Sequence, residues 1–246
     1  MLSDERIHIK AVAARVRSLV AGYLDAIDFI ADRVLFLDRM ERLSATIVLW
    51  GARMNLTAEP GDACELAFHI IDSLTPVILV NSEELLQYAF RADNRILDLG
   101  SGAGFPGLVL ASATPANFTL IESRRKRASF LAVAAADIDL KNVVVEPRRI
   151  ESEGMSSNRS GATEAKVCGG FDVVTARGYA QPSTFHLTAA SALKPGGIAI
   201  LYANSGQNLA LSDAGKNGLN EFRPIAYEVP RSGRAVKRIL GLWRRR

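Results

Sequence analysis

The run Asp98-Leu99-Gly100-Ser101-Gly102-Ala103-Gly104-Phe105-Pro106-Gly107 concentrates residues whose types and spacing could do chemistry. It follows an apolar segment ending at Leu99, and Pro106 suits the first position of a helix, where a missing N–H costs nothing. Glycines between a strand and a helix let the backbone turn tightly and approach a ligand with no Cβ in the way. Glu122 closes the next apolar segment, Phe118-Thr119-Leu120-Ile121. A carboxylate there can accept hydrogen bonds from both hydroxyls of a ribose. Asp98, Gly100, Gly102, Gly104 and Glu122 therefore form a candidate nucleoside site. Gly102–Gly107 also matches the dinucleotide pattern G-x-G-x-x-G. That pattern usually starts as its strand ends, whereas here Asp98 and Gly100 come first. Pro106 also removes an N–H where a pyrophosphate needs a donor. S-adenosylmethionine has no pyrophosphate, so the expectation is a methyltransferase rather than a dinucleotide oxidoreductase.

Methyl transfer from a sulfonium is an in-line displacement in which the enzyme chiefly aligns donor and acceptor. A carbon, an exocyclic amine or a hydroxyl must lose a proton; N7 of guanine has a free lone pair and loses none. The segment where the acceptor would sit reads Val173-Val174-Thr175-Ala176-Arg177-Gly178-Tyr179-Ala180. It has no Asp/Asn-Pro-Pro-aromatic motif to hold an amine and no cysteine to attack a pyrimidine. This suits an acceptor that needs positioning and no deprotonation, with Arg177 the candidate catalytic residue. An ordinary surface arginine is the competing reading.

These residues need a scaffold. Ile27, Ile30, Val34, Leu37, Met40, Leu43, Ile47 and Trp50 recur every three or four residues, predicting one helix face that Gly51 would end, and His69–Val80 reads as a second helix. From Arg95 onward strands alternate with helices. Ile96–Leu99, Phe118–Ile121, Val143–Val145, Phe171–Thr175 and Ile198–Tyr202 are strands, Arg124–Ala136 is a helix capped by Ser123, and Pro182–Leu193 is another. Lys194-Pro195-Gly196-Gly197 reads as a turn, Glu151–Gly170 as a surface insertion, and Ile225–Val229 and Ile239–Trp243 as final strands joined by a basic loop. The fold class is α/β, a parallel sheet covered on both faces. Residues 1–90 are expected to be a helical N-terminal extension and 91–246 the cofactor-binding domain.

Bulk properties exclude several classes. The 246 residues are 48% hydrophobic, enough for a full core, with no apolar run long enough to span a bilayer and no signal-peptide start, so a cytosolic protein is expected. Cys64 and Cys168 are far apart, and His8, His69 and His186 have no metal-ligand spacing, so reduced thiols and no metal are expected. The net charge of +4 and pI of about 9.2 hint at a polyanionic partner. Eight Arg or Lys residues and one acid lie between Arg223 and Arg246, with further clusters at Arg124–Arg127 and Arg148-Arg149.

Together these residues resemble the ribosomal RNA small subunit methyltransferase G family, also called glucose-inhibited division protein B. The resemblance runs from about Leu43 to Ala203. It rests on Trp50 with Asn55-Leu56-Thr57, His69-Ile70-Ile71-Asp72-Ser73-Leu74, Asp98–Gly107, Ile121-Glu122-Ser123 with Lys126-Arg127, and Arg177-Gly178-Tyr179-Ala180. It implies a Rossmann-like, mostly parallel sheet of seven strands. It also implies formation of 7-methylguanosine in 16S ribosomal RNA from S-adenosylmethionine, with naked RNA or the small ribosomal subunit as partner. The family's cofactor contacts fall on Gly100, Phe105, Ile150, Glu151 and Arg177. The family's lysine after the fifth strand is absent from Ala203-Asn204-Ser205-Gly206. A small-molecule methyltransferase and a non-catalytic RNA-binding module with a retained cofactor fold remain alternatives.

Overall fold

The computed structural model of the chain describes residues 3–25, 30–51, 53–149 and 169–246. Helix α1, Ser3–Leu24, buries Ile9, Val12, Val16, Val20 and Leu24 at helical spacing. Helix α2, Arg33–Gly51, buries Leu37, Met40, Leu43 and Ile47 as their periodicity predicts. The stripe does not extend back through Val34, which is 72% exposed; with the helix starting at Arg33, Phe36 takes the core position in its first turn. Ile27 lies outside the described residues.

Helix α3, Ala63–Ile78, begins well before the predicted His69. Asp62 sets its start, since the carboxylate accepts hydrogen bonds from the backbone N–H groups of Cys64 (2.7 Å) and Glu65 (3.3 Å). Nearly every side chain from Glu65 to Val77 is buried. A helix buried all round normally carries no charge, yet this one holds Glu65 and Asp72, which must therefore be paired.

Seven strands form one sheet in the order β3-β2-β1-β4-β5-β7-β6. Strands β1 (Arg95–Leu99), β2 (Asn117–Ile121), β3 (Val143–Glu146), β4 (Phe171–Arg177) and β5 (Leu193–Asn204) pair in parallel. Strand β7 (Arg234–Arg245) runs antiparallel to β5, and β6 (Leu219–Arg231) antiparallel to β7. The expected basic loop between these last strands is instead a two-residue turn. Ser232 and Gly233 both have positive φ (48° and 77°), as such a hairpin turn requires. The basic residues thus lie on the strands themselves. Lys194–Gly197 departs from the predicted turn in a similar way: it belongs to β5, as an irregularity where the register with β4 shifts between Phe171 and Val173.

Helices α4 (Gly107–Ala113), α5 (Arg125–Asp137), α6 (Pro182–Ala192) and α7 (Leu211–Lys216) complete the layers. Side chains alternate across the strands. Ile96, Val173 and Ile200 join one apolar cluster with α1 to α5, whereas Leu97, Val174 and Leu201 join another with α6 and α7. Helices therefore cover both faces. The first cluster runs without a break from Ile9 through the sheet to Leu242, so the N-terminal helices share the core of the sheet domain. Among the described residues no helix is long and apolar enough to cross a membrane. They include no group of His, Cys, Asp or Glu able to hold a metal ion.

Leu74, at 0% exposure on α3, sits where the helical layer meets the sheet. Leu74→Ala should cost about 2–5 kcal/mol by urea unfolding. With one continuous core, tryptophan fluorescence and far-UV circular dichroism should still report a single coincident transition.

Candidate active site at the carboxyl edge of the sheet

The sheet register brings distant residues into one row. Ile121, Leu99, Ala176 and Leu201 lie side by side across β2, β1, β4 and β5. The next residue on each strand, Glu122, Gly100, Arg177 and Tyr202, therefore falls at the carboxyl edge, where open α/β sheets bind ligands. The sequence-predicted Gly100, Glu122 and Arg177 are brought together by this register alone.

The loop after β1 is pinned by its own backbone. The N–H groups of Gly100 and Ser101 donate to the Ile121 carbonyl at 2.9 and 3.1 Å, and that of Gly104 donates to Ser101 at 2.7 Å. Gly100, Gly102 and Gly104 all have left-handed φ (68°, 55° and 91°), which disfavours any side chain. They differ in what a Cβ would meet. At Gly100 it would come within 2.8 Å of the Tyr179 ring, and at Gly104 within 2.5 Å of Leu108. At Gly102 no protein atom counted in that way lies closer than 3.7 Å. The space beside Gly102 is thus a cradle that a side chain would fill.

The Glu122 carboxylate, 5% exposed, borders that cradle, accepting from the Gly102 N–H (3.2 Å) and the Arg124 N–H (2.8 Å). The Ser123 hydroxyl adds a longer contact to its Oε1 (3.5 Å), and since carboxylate oxygens offer about four acceptor positions, one remains for a ribose hydroxyl. Glu122 also satisfies the start of α5. That helix is capped at Arg124 with no side-chain bond, not by Ser123 as predicted, because the glutamate already holds the Arg124 N–H. Helix α4 likewise begins at Gly107, with Pro106 one place earlier than expected, at the cap.

Asp98 has no exposed surface. Its Oδ1 accepts from the Thr175 hydroxyl at 2.7 Å, and burial raises its carboxyl above the ordinary value. This placement lies beneath the loop and ties β1 to β4. Phe105, 4% exposed, presents its ring to His69 (centroids 5.2 Å apart) and to the Arg177 guanidinium (5.1 Å). Ile150 and Glu151, and nearly all of the Glu151–Gly170 insertion, lie outside the described residues.

Arg177 ends β4 and is held from α3. Its Nη1 donates to Asp72 Oδ2 at 3.1 Å and to the His69 carbonyl at 3.4 Å. Asp72 is fully buried and takes three further bonds: the Tyr227 hydroxyl to Oδ1 at 2.7 Å, and Arg238 to both oxygens at 3.2 Å. Arg238 also donates to Asn204, so a cation reaches the end of β5 from β7. Glu65, the other buried acid of α3, pairs with Arg231 through two bonds of 2.5 and 2.7 Å. A cleft of about 360 Å³ opens here, with His69, Asp72, Arg177, Tyr202 and Arg238 in its walls. Burial, and then the charge of Arg177, lower His69 to about 3, leaving it neutral at physiological pH. Burial pushes the Tyr202 phenol well above its ordinary value; its hydroxyl donates to the Ser73 carbonyl at 2.8 Å.

Asp72, His69 and Tyr179 are members of this site that residue-type reasoning did not assign to it. The available signal for Asp72 was a carboxylate inside the apolar run of a helix, between Ile71 and Leu74. The carboxy-terminal arginines fall elsewhere. Arg244 pairs with Ile198 near the start of β5, and Arg245 donates to the Leu193 carbonyl, so the tail lies at the opposite edge from the glycine loop.

Comparison with known proteins agrees with this geometry. Residues 37–216 match the family model described as GidB, rRNA small subunit methyltransferase G. A protein named ribosomal RNA small subunit methyltransferase G from Acidiphilium cryptum is 38% identical over 178 residues, covering 71% of each chain. One of the same name from Myxococcus xanthus is 30% identical over 198 residues, covering 79% of this chain and 82% of its own. Among solved structures, a T. thermophilus 16S rRNA N2 G1207 methyltransferase in complex with AdoMet and guanosine shares the fold. Its TM-score is 0.50 at 18% identity, covering 71% of this chain and 43% of the other.

Three outcomes are expected. Gly102→Ala should cost only the left-handed backbone, roughly 1–2 kcal/mol, but should abolish S-adenosylmethionine binding in calorimetric titration. Gly104→Ala adds the clash with Leu108 and should lose roughly 2–5 kcal/mol in urea unfolding. Asp72→Ala strands two guanidiniums and should lose about 3–5 kcal/mol in the same measurement.

Proposed function

We propose that this chain, which belongs to the rRNA small subunit methyltransferase G family, uses S-adenosylmethionine to form 7-methylguanosine at N7 of a guanine in 16S ribosomal RNA. The setting is the cytosol, with free 16S RNA or the small ribosomal subunit as partner. The Gly100–Gly104 backbone and the Glu122 carboxylate would hold the nucleoside end of the cofactor, Ile150 and Glu151 the adenine, and Asp98 would support the loop from below. The cofactor supplies an electrophilic methyl group that a nitrogen lone pair can displace in line.

The observation that carries the choice of N7 is the lack of a working base. Among the described residues lining the cleft, His69 is held to about 3, Tyr202 is pushed up, and Asp72 is committed to two arginines and a phenol. With His69 and Tyr202 shifted away from neutrality and the Asp72 oxygens occupied by hydrogen bonds, the cleft suits N7, which gives up no proton. A carbon, amine or hydroxyl acceptor would need a group to take its proton.

Arg177 is the residue we assign to the reaction. Among the described residues its hydrogen bonds all run from Nη1, which leaves Nε and Nη2 to grip a phosphate or carboxylate in two-point contact. Asp72 and the Phe105 ring fix the direction of that fork.

Single-turnover methylation of purified small subunits tests this reading. The wild-type rate should be flat between about pH 6 and 9, because no essential base ionises. Arg177→Lys keeps the charge but not the fork and should lower the rate roughly a hundredfold. A rate that climbs tenfold per pH unit to a plateau would overturn the N7 assignment, and full activity in Arg177→Lys would remove the arginine from the mechanism.

A further inference from the structure

A second cleft, of about 720 Å³, lies between the helical extension and α5. Leu49 and Trp50 from the end of α2, with Met54 just beyond, form an apolar wall, and all three are only half buried. Arg6 of α1, Arg53 and Lys126 of α5 rim it; all three are exposed. No acid lines this cleft, and none of the three cations is paired with one among the described residues. The Trp50 ring is held edge-on by the buried Phe130 at a centroid distance of 6.0 Å.

The cleft opens on the same edge of the sheet as the glycine loop. Lys126 is in the first turn of α5, which starts just beyond Glu122. Its neighbour Arg127 joins the two places: one end of the guanidinium donates to the Asn55 carbonyl, next to Met54, and the other lies 4.0 Å from where a Gly102 Cβ would be. Arg124 and Arg125 extend the exposed positive surface.

We infer that this cleft binds an unpaired nucleotide of the RNA substrate next to the one being methylated, with the base against Trp50 and the flanking phosphates on Arg6, Arg53 and Lys126. This rests on the RNA reading above. An aromatic face inside a ring of unpaired cations is the chemistry that holds single-stranded nucleic acid, through base stacking and phosphate neutralisation. The cations exclude a neutral apolar ligand as the best occupant, and the tryptophan and methionine give a base something to stack on that a bare phosphate site lacks. RNA is sequence-specifically bound mostly where bases are unstacked and splayed out, which such a cleft would stabilise.

The test uses the full chain and a guanine-containing single-stranded oligoribonucleotide. Trp243 is 1% exposed, so quenching of tryptophan emission reports Trp50. Wild type should show saturable quenching. Arg53→Gln with Lys126→Gln should weaken binding about tenfold and reduce the log–log salt slope by about 1.4, at roughly 0.7 per phosphate, with S-adenosylmethionine affinity unchanged. Trp50→Leu, checked for folding by thermal melting and read by the fluorescence anisotropy of an end-labelled oligonucleotide because it removes the emitting residue, should weaken binding about tenfold relative to wild type in the same assay. If wild type binds and methylates RNA while the double variant keeps its affinity and slope, the inference is wrong and the function stands. If wild type neither binds nor methylates RNA, the function reading fails and the inference with it. Quenching by anionic lipid vesicles and not by the oligonucleotide overturns it in favour of a membrane partner.

Discussion

The arrangement depends on one buried charge. Asp72 sits at 0% exposure in a helix that is mostly apolar, and its carboxylate is tolerable there only because Arg177, Arg238 and Tyr227 meet it. Those partners come from β4, β7 and β6, so a single side chain ties the helical layer to three strands. Buried ion pairs of this kind contribute little net stability over an apolar substitute, but they fix geometry, since any other placement leaves a charge uncompensated. The geometry fixed here is that of Arg177. The N-terminal helical layer thus reaches the candidate site: α3 holds the arginine that the sheet supplies.

Glu65 and Arg231 repeat the device one helical stretch earlier, and the hairpin of β6 and β7 provides the cation both times. This changes what the basic composition means. Arginines that look in sequence like a surface for nucleic acid are partly consumed in closing the hairpin onto α3, and the last ones lie at the far edge of the sheet. Among the described residues, the cations without an acidic partner near the glycine loop include Lys126 on α5 with Arg6 and Arg53 of the N-terminal segment. Charge available for a partner is set by what the fold has not already neutralised, and net charge cannot reveal that.

The cradle itself shows how a local rule and a long-range one combine. Three left-handed glycines shape the loop, but of these only Gly102 could carry a Cβ without a contact shorter than 3.7 Å. Glu122 bridges the loop and the start of α5, so the residue that would take a ribose also satisfies a helix end. The same bonds that orient the carboxylate leave it an open acceptor position.

Much of this was legible in the order of residues. The glycine run, the acid after β2, the alternating strands and helices and the buried stripe of α2 follow from spacing, because turns, caps and periodicity are local properties. Where the local pattern misled, a neighbour in space had the final say. Ser123 lost its cap to Glu122, Val34 lost its core place to Phe36, and Lys194–Gly197 was drawn into β5 by pairing with β4. The partners of Asp72 lie as far as 166 residues away in sequence, so no spacing could announce them. The sequence by itself determined that a glycine-rich loop follows the first strand of an alternating α/β chain and that an acid closes the second, because both are local patterns. Which arginines answer the buried Asp72, which cations stay free, and that His69 is a neutral group beside Arg177 were decided only by tertiary structure, because burial and pairing are properties of the packed chain.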